Sequence, residues 1–148
     1  KKKEMEGLTE DEEERLKNSE ESYEKSLNEC RQLNEAGVKL VAGSDCGWGV
    51  YPFGQFAREM GSMVEAGLSP MHAILAGTRD CAQALGIAYA VGTVEAGKLA
   101  DLIVVTDNPL SDIENLRKLE LVLKEGQIVA DHRAKVTGNP TALHLDIP

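Results

Sequence analysis

The chain is poor in aromatic residues and in cysteine, and it has no long apolar run. Trp, Tyr and Phe make up 4% of its 148 residues, so the core must be built from aliphatic side chains and Met. Cys30, Cys46 and Cys81 lie far apart and form no CxxC pair, which excludes a disulfide framework and is typical of free thiols in a reducing cytoplasm. The longest aliphatic run, Leu102–Val105, is too short to span a membrane.

Basic residues are also scarce. The chain has 16 Lys and Arg against 25 Asp and Glu, a net charge of −9, and its only basic run, residues 1–3, is followed at once by acids. Phosphate binding needs clustered cations, so nucleic acid is not expected as a partner. No apolar stretch follows these lysines to form a signal peptide. These absences predict a cytoplasmic protein without a nucleic-acid or membrane partner.

Apolar spacing and helix-stop residues predict three helices, over residues 10–35, 55–66 and 69–85. Thr9 and Glu12 form a capping box at the start of the first helix, and Gly37 is placed to end it. Ser69, followed by proline, is typical of the start of another helix. Amphipathic spacing predicts that each helix buries one face.

Strands are predicted in two places. Residues 38–42 form a short apolar run between the first two helices, typical of a buried parallel strand. Beyond residue 90 we expect strands within 99–106, 119–124 and 127–131, with a short helix at 111–117. One parallel strand cannot make a sheet, so the sequence predicts that the chain is not self-sufficient.

Asp45, at the end of the predicted strand 38–42, is the leading candidate for chemistry. In parallel α/β folds functional groups sit at the carboxyl ends of strands. A carboxylate there can ligate a divalent metal, or take a proton from metal-bound water. The alternative is that Asp45 caps the loop through an Asx turn.

A loop rich in glycine and aromatic residues follows, over residues 46–54. Its GxG is not a dinucleotide motif, because Pro52 occupies the position of the third glycine. Trp48, Tyr51 and Phe53 either line a substrate pocket or fold back as a lid over an apolar rim. The three histidines have no metal-ligand spacing and are not expected to bind metal: His72, His132 and His144.

Four segments, in order, resemble the C-terminal part of the amidohydrolase superfamily of metal-dependent hydrolases, and most of all its imidazolonepropionase-like and Xaa-Pro dipeptidase-like members. They are residues 33–45 (LNEAGVKLVAGSD), 63–86 (MVEAGLSPMHAILAGTRDCAQALG), 92–109 (GTVEAGKLADLIVVTDNP) and 119–131 (LELVLKEGQIVAD). The resemblance implies an α/β fold, the C-terminal portion of a (β/α)₈ (TIM) barrel plus part of a small β-sandwich domain. Residues 1–90 would supply the last helices and the eighth strand, 91–133 part of the sandwich, and 134–148 a tail.

The resemblance also implies a role for Asp45, as metal ligand and as proton carrier between water and the leaving nitrogen. Gly47 and Trp48 would contact a small-molecule or dipeptide substrate whose C–N bond, in an amide or cyclic amide, is hydrolysed. The cofactor would be a divalent metal, one or two ions of zinc, held otherwise by histidines on strands that this chain lacks.

We therefore expect the chain to be a fragment that is inactive alone. Its partner would be the missing N-terminal barrel half or further copies of itself. The alternative is a non-catalytic interaction module derived from the amidohydrolase fold.

Overall fold

The computed structural model describes residues 7–47 and 53–133. Trp48 and the tail over 134–148 therefore lie outside the described residues. The elements are α1 (Glu10–Glu35), α2 (Phe56–Glu65), α3 (Pro70–Gly77), α4 (Arg79–Ala84), β1 (Leu102–Val105), a 3₁₀ helix (Ile113–Arg117), β2 (Leu119–Lys124) and β3 (Gln127–Asp131). No helix among these residues is both long and apolar enough to cross a lipid bilayer.

Helix α1 begins and ends where the sequence predicts. The Thr9 backbone N–H donates to Glu12 Oε2 at 2.8 Å, and the Thr9 hydroxyl accepts from the Glu12 backbone N–H at 3.4 Å, which completes the capping box. At the other end Gly37 takes a φ of 75°, and the Val38 N–H donates to the Leu33 carbonyl at 3.0 Å. Leu27 is the only residue of α1 that is buried, so most of this helix faces solvent.

Residues 38–42 are not a strand in the structure, and that prediction is wrong. The segment has no neighbouring strand among the described residues, and a strand exists only through a ladder with another one. It is held instead by one bond from the Ala42 N–H to the Ala76 carbonyl, at 3.2 Å. Val38 and Val41 stay about half exposed, at 48% and 47%.

The third predicted helix is two helices, α3 and α4, because the backbone breaks at Thr78 with φ −128° and ψ −91°. The Thr78 hydroxyl donates to the Ile74 carbonyl at 2.7 Å, a bond that competes with regular helix geometry. Gly92 packs against the break so closely that a Cβ there would lie 2.6 Å from Ala82 Cβ and 3.2 Å from the Thr78 carbonyl oxygen. Tertiary contact with a distant glycine therefore accompanies the break.

The core lies between α2, α3 and the 3₁₀ helix, and it is small. Its two methionines, Met60 and Met63, come from the apolar stripe of α2, and alanines such as Ala73 and Ala76 let α3 approach closely. Among the described residues, no large side chain is completely buried. Burial of each Met or Leu contributes about 1.5–3 kcal/mol, so this cluster supplies modest stability.

The three strands form one antiparallel sheet in the order β1-β2-β3. Glu125 and Gly126 both adopt positive φ, 52° and 79°, as a two-residue hairpin between β2 and β3 requires. Asp101 holds this turn, because its carboxylate accepts from Lys124 Nζ at 2.6 Å and from the Glu125 N–H at 2.8 Å. The three strands predicted beyond residue 90 are confirmed, with β1 lying inside the predicted range 99–106.

Candidate active site

Asp45 closes the extended segment with a left-handed backbone, φ 45°, and its side chain is exposed. Aspartate is one of the few residues that tolerate this conformation, so the turn does not require glycine here. No other described residue donates a hydrogen bond to the Asp45 carboxylate. The Asx-turn alternative thus finds no support within the described residues.

A second carboxylate faces Asp45 from α2. Glu59 is half-buried, and burial together with the nearby Asp45 charge raises its carboxyl pKa. Sequence reasoning missed Glu59. The signal was present, because Glu59 lies three residues after Phe56 and four before Met63, on the apolar stripe of α2.

A cleft of about 720 Å³ separates α1 from α2, and Ser44 and Cys46, the neighbours of Asp45, line it together with Glu59. Burial, followed by the Glu59 charge, raises the thiol pKa of Cys30 on the α1 side. A raised pKa keeps that thiol protonated near neutral pH. Cys30 is therefore not an activated nucleophile.

Gly47 is brought against Phe53. Its φ is 88°, and a Cβ at this position would lie 3.1 Å from Phe53 Cζ. Any side chain at residue 47 would be both strained and crowded by the ring. Of the two predicted substrate contacts, Gly47 belongs to the described residues and Trp48 lies outside them.

The described histidines stand apart from this region. His72 is exposed in the first turn of α3, where its backbone N–H donates to Ser69 Oγ at 3.2 Å, and His132 is exposed after β3. Over residues 7–47 and 53–133, no three His, Cys, Asp or Glu side chains are grouped to hold a metal ion. Among the described residues Asp45 and Glu59 bring together two carboxylates, fewer than the roughly three protein ligands of a catalytic zinc site.

The fold combines helices with an antiparallel sheet. Its candidate hydrolytic group is the carboxylate of Asp45, at the end of an extended segment. The chain belongs to the amidohydrolase family, whose model matches residues 1–129. The resemblance seen in the sequence is thereby confirmed.

Several known proteins are similar to this chain. The imidazolonepropionase of Geobacillus kaustophilus (strain HTA426) is 31% identical over 107 residues, which cover 70% of this chain and 25% of that protein. A Xaa-Pro dipeptidase, solved with methionine in its active site, is 38% identical with a TM-score of 0.64, over 69% of this chain and 25% of that one. Molinate hydrolase is 34% identical with a TM-score of 0.65, over 76% and 28%. The chain therefore spans about a quarter of the length of the relatives it matches.

Proposed function

We propose that this chain forms part of a metal-dependent hydrolase that cleaves a C–N bond in an amide or cyclic amide. The observation that carries the proposal is the exposed position of Asp45 at the end of an extended segment, beside the cleft and the Gly47 turn, where no described residue hydrogen-bonds to its carboxylate. Membership of the amidohydrolase family supports the reaction type. The relatives include an imidazolonepropionase and a Xaa-Pro dipeptidase, which supports a small-molecule or dipeptide substrate.

In this proposal Asp45 carries a proton. Hydrolysis forms a bond between a water oxygen and the carbonyl carbon and breaks the C–N bond, so one water proton must reach the leaving nitrogen. A carboxylate in hydrogen-bond reach of both atoms can accept that proton and donate it again. Gly47 and Trp48 would contact the substrate, and at Gly47 the lack of a side chain allows close approach to the backbone.

Asp45 would also be one ligand of a divalent metal, which supplies an activated water when bound. The described residues do not make a complete site, since Asp45 and Glu59 provide two carboxylates and no grouped third donor. Histidines from other parts of the protein would complete the ligand set. One or two ions, with zinc as the expected metal, fit such a mixed set of nitrogen and oxygen donors.

We propose the same division of the chain as the sequence predicts: residues 1–90 belong to a (β/α)₈ barrel, 91–133 to part of a β-sandwich and 134–148 to a tail. Exposed aliphatic side chains on both parts support this, because such surface is normally covered in a folded protein. Val38 and Val41 lie on the helical part, and Ile128 and Val129 on the sheet. The cover would be the remaining barrel half or another copy of this chain, in a reducing cytoplasm that suits the free thiols of Cys30, Cys46 and Cys81.

The test is the Asp45→Asn variant of the complete protein, compared with Asp107→Asn. Asp107 is an exposed aspartate paired with Lys118 at 2.8 Å, remote in sequence from the site. Turnover of Xaa-Pro dipeptides and of cyclic amides should fall by about 10²–10⁴ in Asp45→Asn, and bound metal, measured by mass spectrometry, should fall with it. Asp107→Asn should keep both. Full turnover in Asp45→Asn would end the proposal.

A non-catalytic interaction module is the second candidate. It is favoured by the incomplete ligand set of the described residues. A complete protein that purifies without metal, and shows no turnover when zinc is added, would support this candidate. Copurifying metal that depends on Asp45 would exclude it.

A further inference from the structure

We propose that Cys81 of α4 is a positioning residue for Asp45. Its thiol fixes the backbone of the extended segment 38–42 and thereby sets where that segment delivers the candidate carboxylate. This inference rests on the proposed function, in which Asp45 carries a proton and binds a metal ion. Cys81 itself does not touch the substrate, because it is not among the described residues that line the cleft.

The first observation is that helices α3 and α4 hold both polar backbone groups of Ala42. The Ala42 N–H donates to the Ala76 carbonyl at 3.2 Å, and the Cys81 thiol donates to the Ala42 carbonyl, also at 3.2 Å. Ala42 is 7% exposed, and a buried carbonyl needs a partner. The oxygen has a second lone pair, so the thiol bond is also compatible with a strand ladder in the complete protein.

The second observation is that the start of the same segment is attached to the same helix. Lys39 Nζ donates to Gln83 Oε1 at 3.1 Å and lies 3.9 Å from Asp80 Oδ1. The Lys39 side chain is 62% exposed, so Cys81 supplies the less exposed of the two attachments. Together they restrain both the position and the direction of the segment, which a single attachment would leave free to pivot.

The third observation is that Ala42 is the last attached point before the candidate carboxylate. Within the described part of the chain, no backbone hydrogen bond involves residues 43–47, and Asp45 follows Ala42 by three residues. A displacement of Ala42 is therefore passed on to Asp45. Misplacement of a reacting group by about 1 Å can cost about 10²-fold in rate.

The test compares Cys81→Ala with Cys81→Ser in the complete, metal-loaded protein, because serine keeps a hydrogen-bond donor of similar size. In Cys81→Ala we expect kcat for an Xaa-Pro dipeptide or a cyclic amide to fall about tenfold or more, with KM changed less than about threefold. Cys81→Ser should keep kcat within about threefold of the wild type. Deuterium exchange of the segment 38–47, followed by mass spectrometry, should be faster in Cys81→Ala and near the wild-type rate in Cys81→Ser.

Asp101→Asn is the matched control for a general loss of stability. It weakens the hydrogen bonds that Asp101 accepts at the turn between β2 and β3, away from α4, and should change neither kcat nor exchange in the segment 38–47. Wild-type kcat in Cys81→Ala, or an equal loss in Cys81→Ala and Cys81→Ser, overturns the inference.

The failure of the proposed function is distinguishable from the failure of this inference. Asp45→Asn reports on the proposed function through turnover and metal content. If the complete wild-type protein hydrolyses neither substrate, the exchange measurement decides. Faster exchange in Cys81→Ala, restored in Cys81→Ser, supports positioning of the Asp45 backbone by Cys81, and unchanged exchange overturns it.

Discussion

The helical part of the chain, residues 10–84, and the sheet, residues 102–131, are stabilised in different ways. The helices, together with Ile113 and Leu116 of the 3₁₀ helix between β1 and β2, bury a cluster of Met, Leu, Ile and Ala around α2 and α3. The sheet satisfies its backbone through two antiparallel ladders and ties its ends with exposed ion pairs, while Ile103, Ile128 and Val129 remain more than half exposed. Burial of apolar side chains thus contributes most to the stability of the helical part, and backbone hydrogen bonding contributes most to that of the sheet.

This difference bears on function. Asp45 follows an extended segment that packs through Ala42 on the helical core, so the position of the carboxylate depends on that core. The sheet carries none of the candidate site residues among those described. A perturbation of the helical core should therefore reach the site, and a perturbation of the sheet should act on stability alone.

The largest expected effect is truncation of the helical core. Met63→Ala removes a side chain that is 5% exposed at the centre of the cluster, and we expect a loss of about 2–5 kcal/mol in the free energy of unfolding. Ile128→Ala on the sheet, at 54% exposure in this chain, should cost more than about 1.5 kcal/mol in the complete protein, where the proposed cover buries it, but less than Met63→Ala. Urea unfolding of the complete protein measures both.

The Ile128 result also tests the proposed cover of the sheet. A loss of more than about 1.5 kcal/mol for Ile128→Ala in the complete protein would show that another surface buries this residue. Equal losses in the free energy of unfolding for Met63→Ala and Ile128→Ala would contradict the distinction between the helical part and the sheet. A loss below about 1.5 kcal/mol for Ile128→Ala would contradict the proposed cover.

The next effect is at the junction between the two parts. Gly92→Ala places a Cβ 2.6 Å from Ala82 Cβ on a backbone with φ 98°, so strain and overpacking together should cost about 2–4 kcal/mol. Gly97→Ala is the matched control, since its φ is 87° but nothing lies within 4 Å. It should cost about 1–2 kcal/mol, from strain alone. Similar unfolding curves for the two would show that the approach of Gly92 to α4 is not tight.

Gly92 also shows what sequence reasoning could and could not find. Capping boxes, glycine stops and the alternation of β2 and β3 are local signals, and they placed α1, α2, β2 and β3 within a residue or two. The break at Thr78 combines a local bond from its hydroxyl to the Ile74 carbonyl with close packing of Gly92, fourteen positions away, and local sequence does not encode that packing. Residues 38–42 have the composition of a strand, but a ladder needs a neighbour that local sequence does not provide.

The candidate site divides in the same way. Asp45 is predicted from its position after an apolar run, and Gly47 from the family resemblance. The sequence analysis did not single out Glu59, although its spacing from Phe56 and Met63 places it on the apolar side of α2. Which polar residue on an amphipathic helix faces a loop is decided by the tertiary approach of that loop.

A smaller effect is expected from the ion pairs of the two parts. Asp80 is buried and accepts from Arg79 Nε at 2.8 Å, with Lys39 Nζ at 3.9 Å, and thereby links α4 to the segment that leads to Asp45. Asp80→Asn should cost about 1.5–3 kcal/mol, as for hydrogen bonds to charged groups. Asp107→Asn, in an exposed pair with Lys118, should cost less than about 1 kcal/mol. If thermal unfolding shows equal losses of stability for Asp80→Asn and Asp107→Asn, the buried ion pair contributes no more than the exposed one.

The smallest effect concerns the exposed end of the sheet. Hydrogen bonds from the Arg133 guanidinium and backbone N–H lower the carboxyl pKa of Asp131 to about 2. Because the folded pKa is depressed, this group stabilises the fold above its unfolded pKa of about 3.9, and the contribution is lost as pH falls from there towards 2. Carboxyl NMR titration should show the low pKa in the wild type and a value nearer 3.8 in Arg133→Gln. An ordinary pKa in the wild type would mean that Arg133 binds elsewhere in the complete protein, and that this end of the sheet is not held by charge pairing.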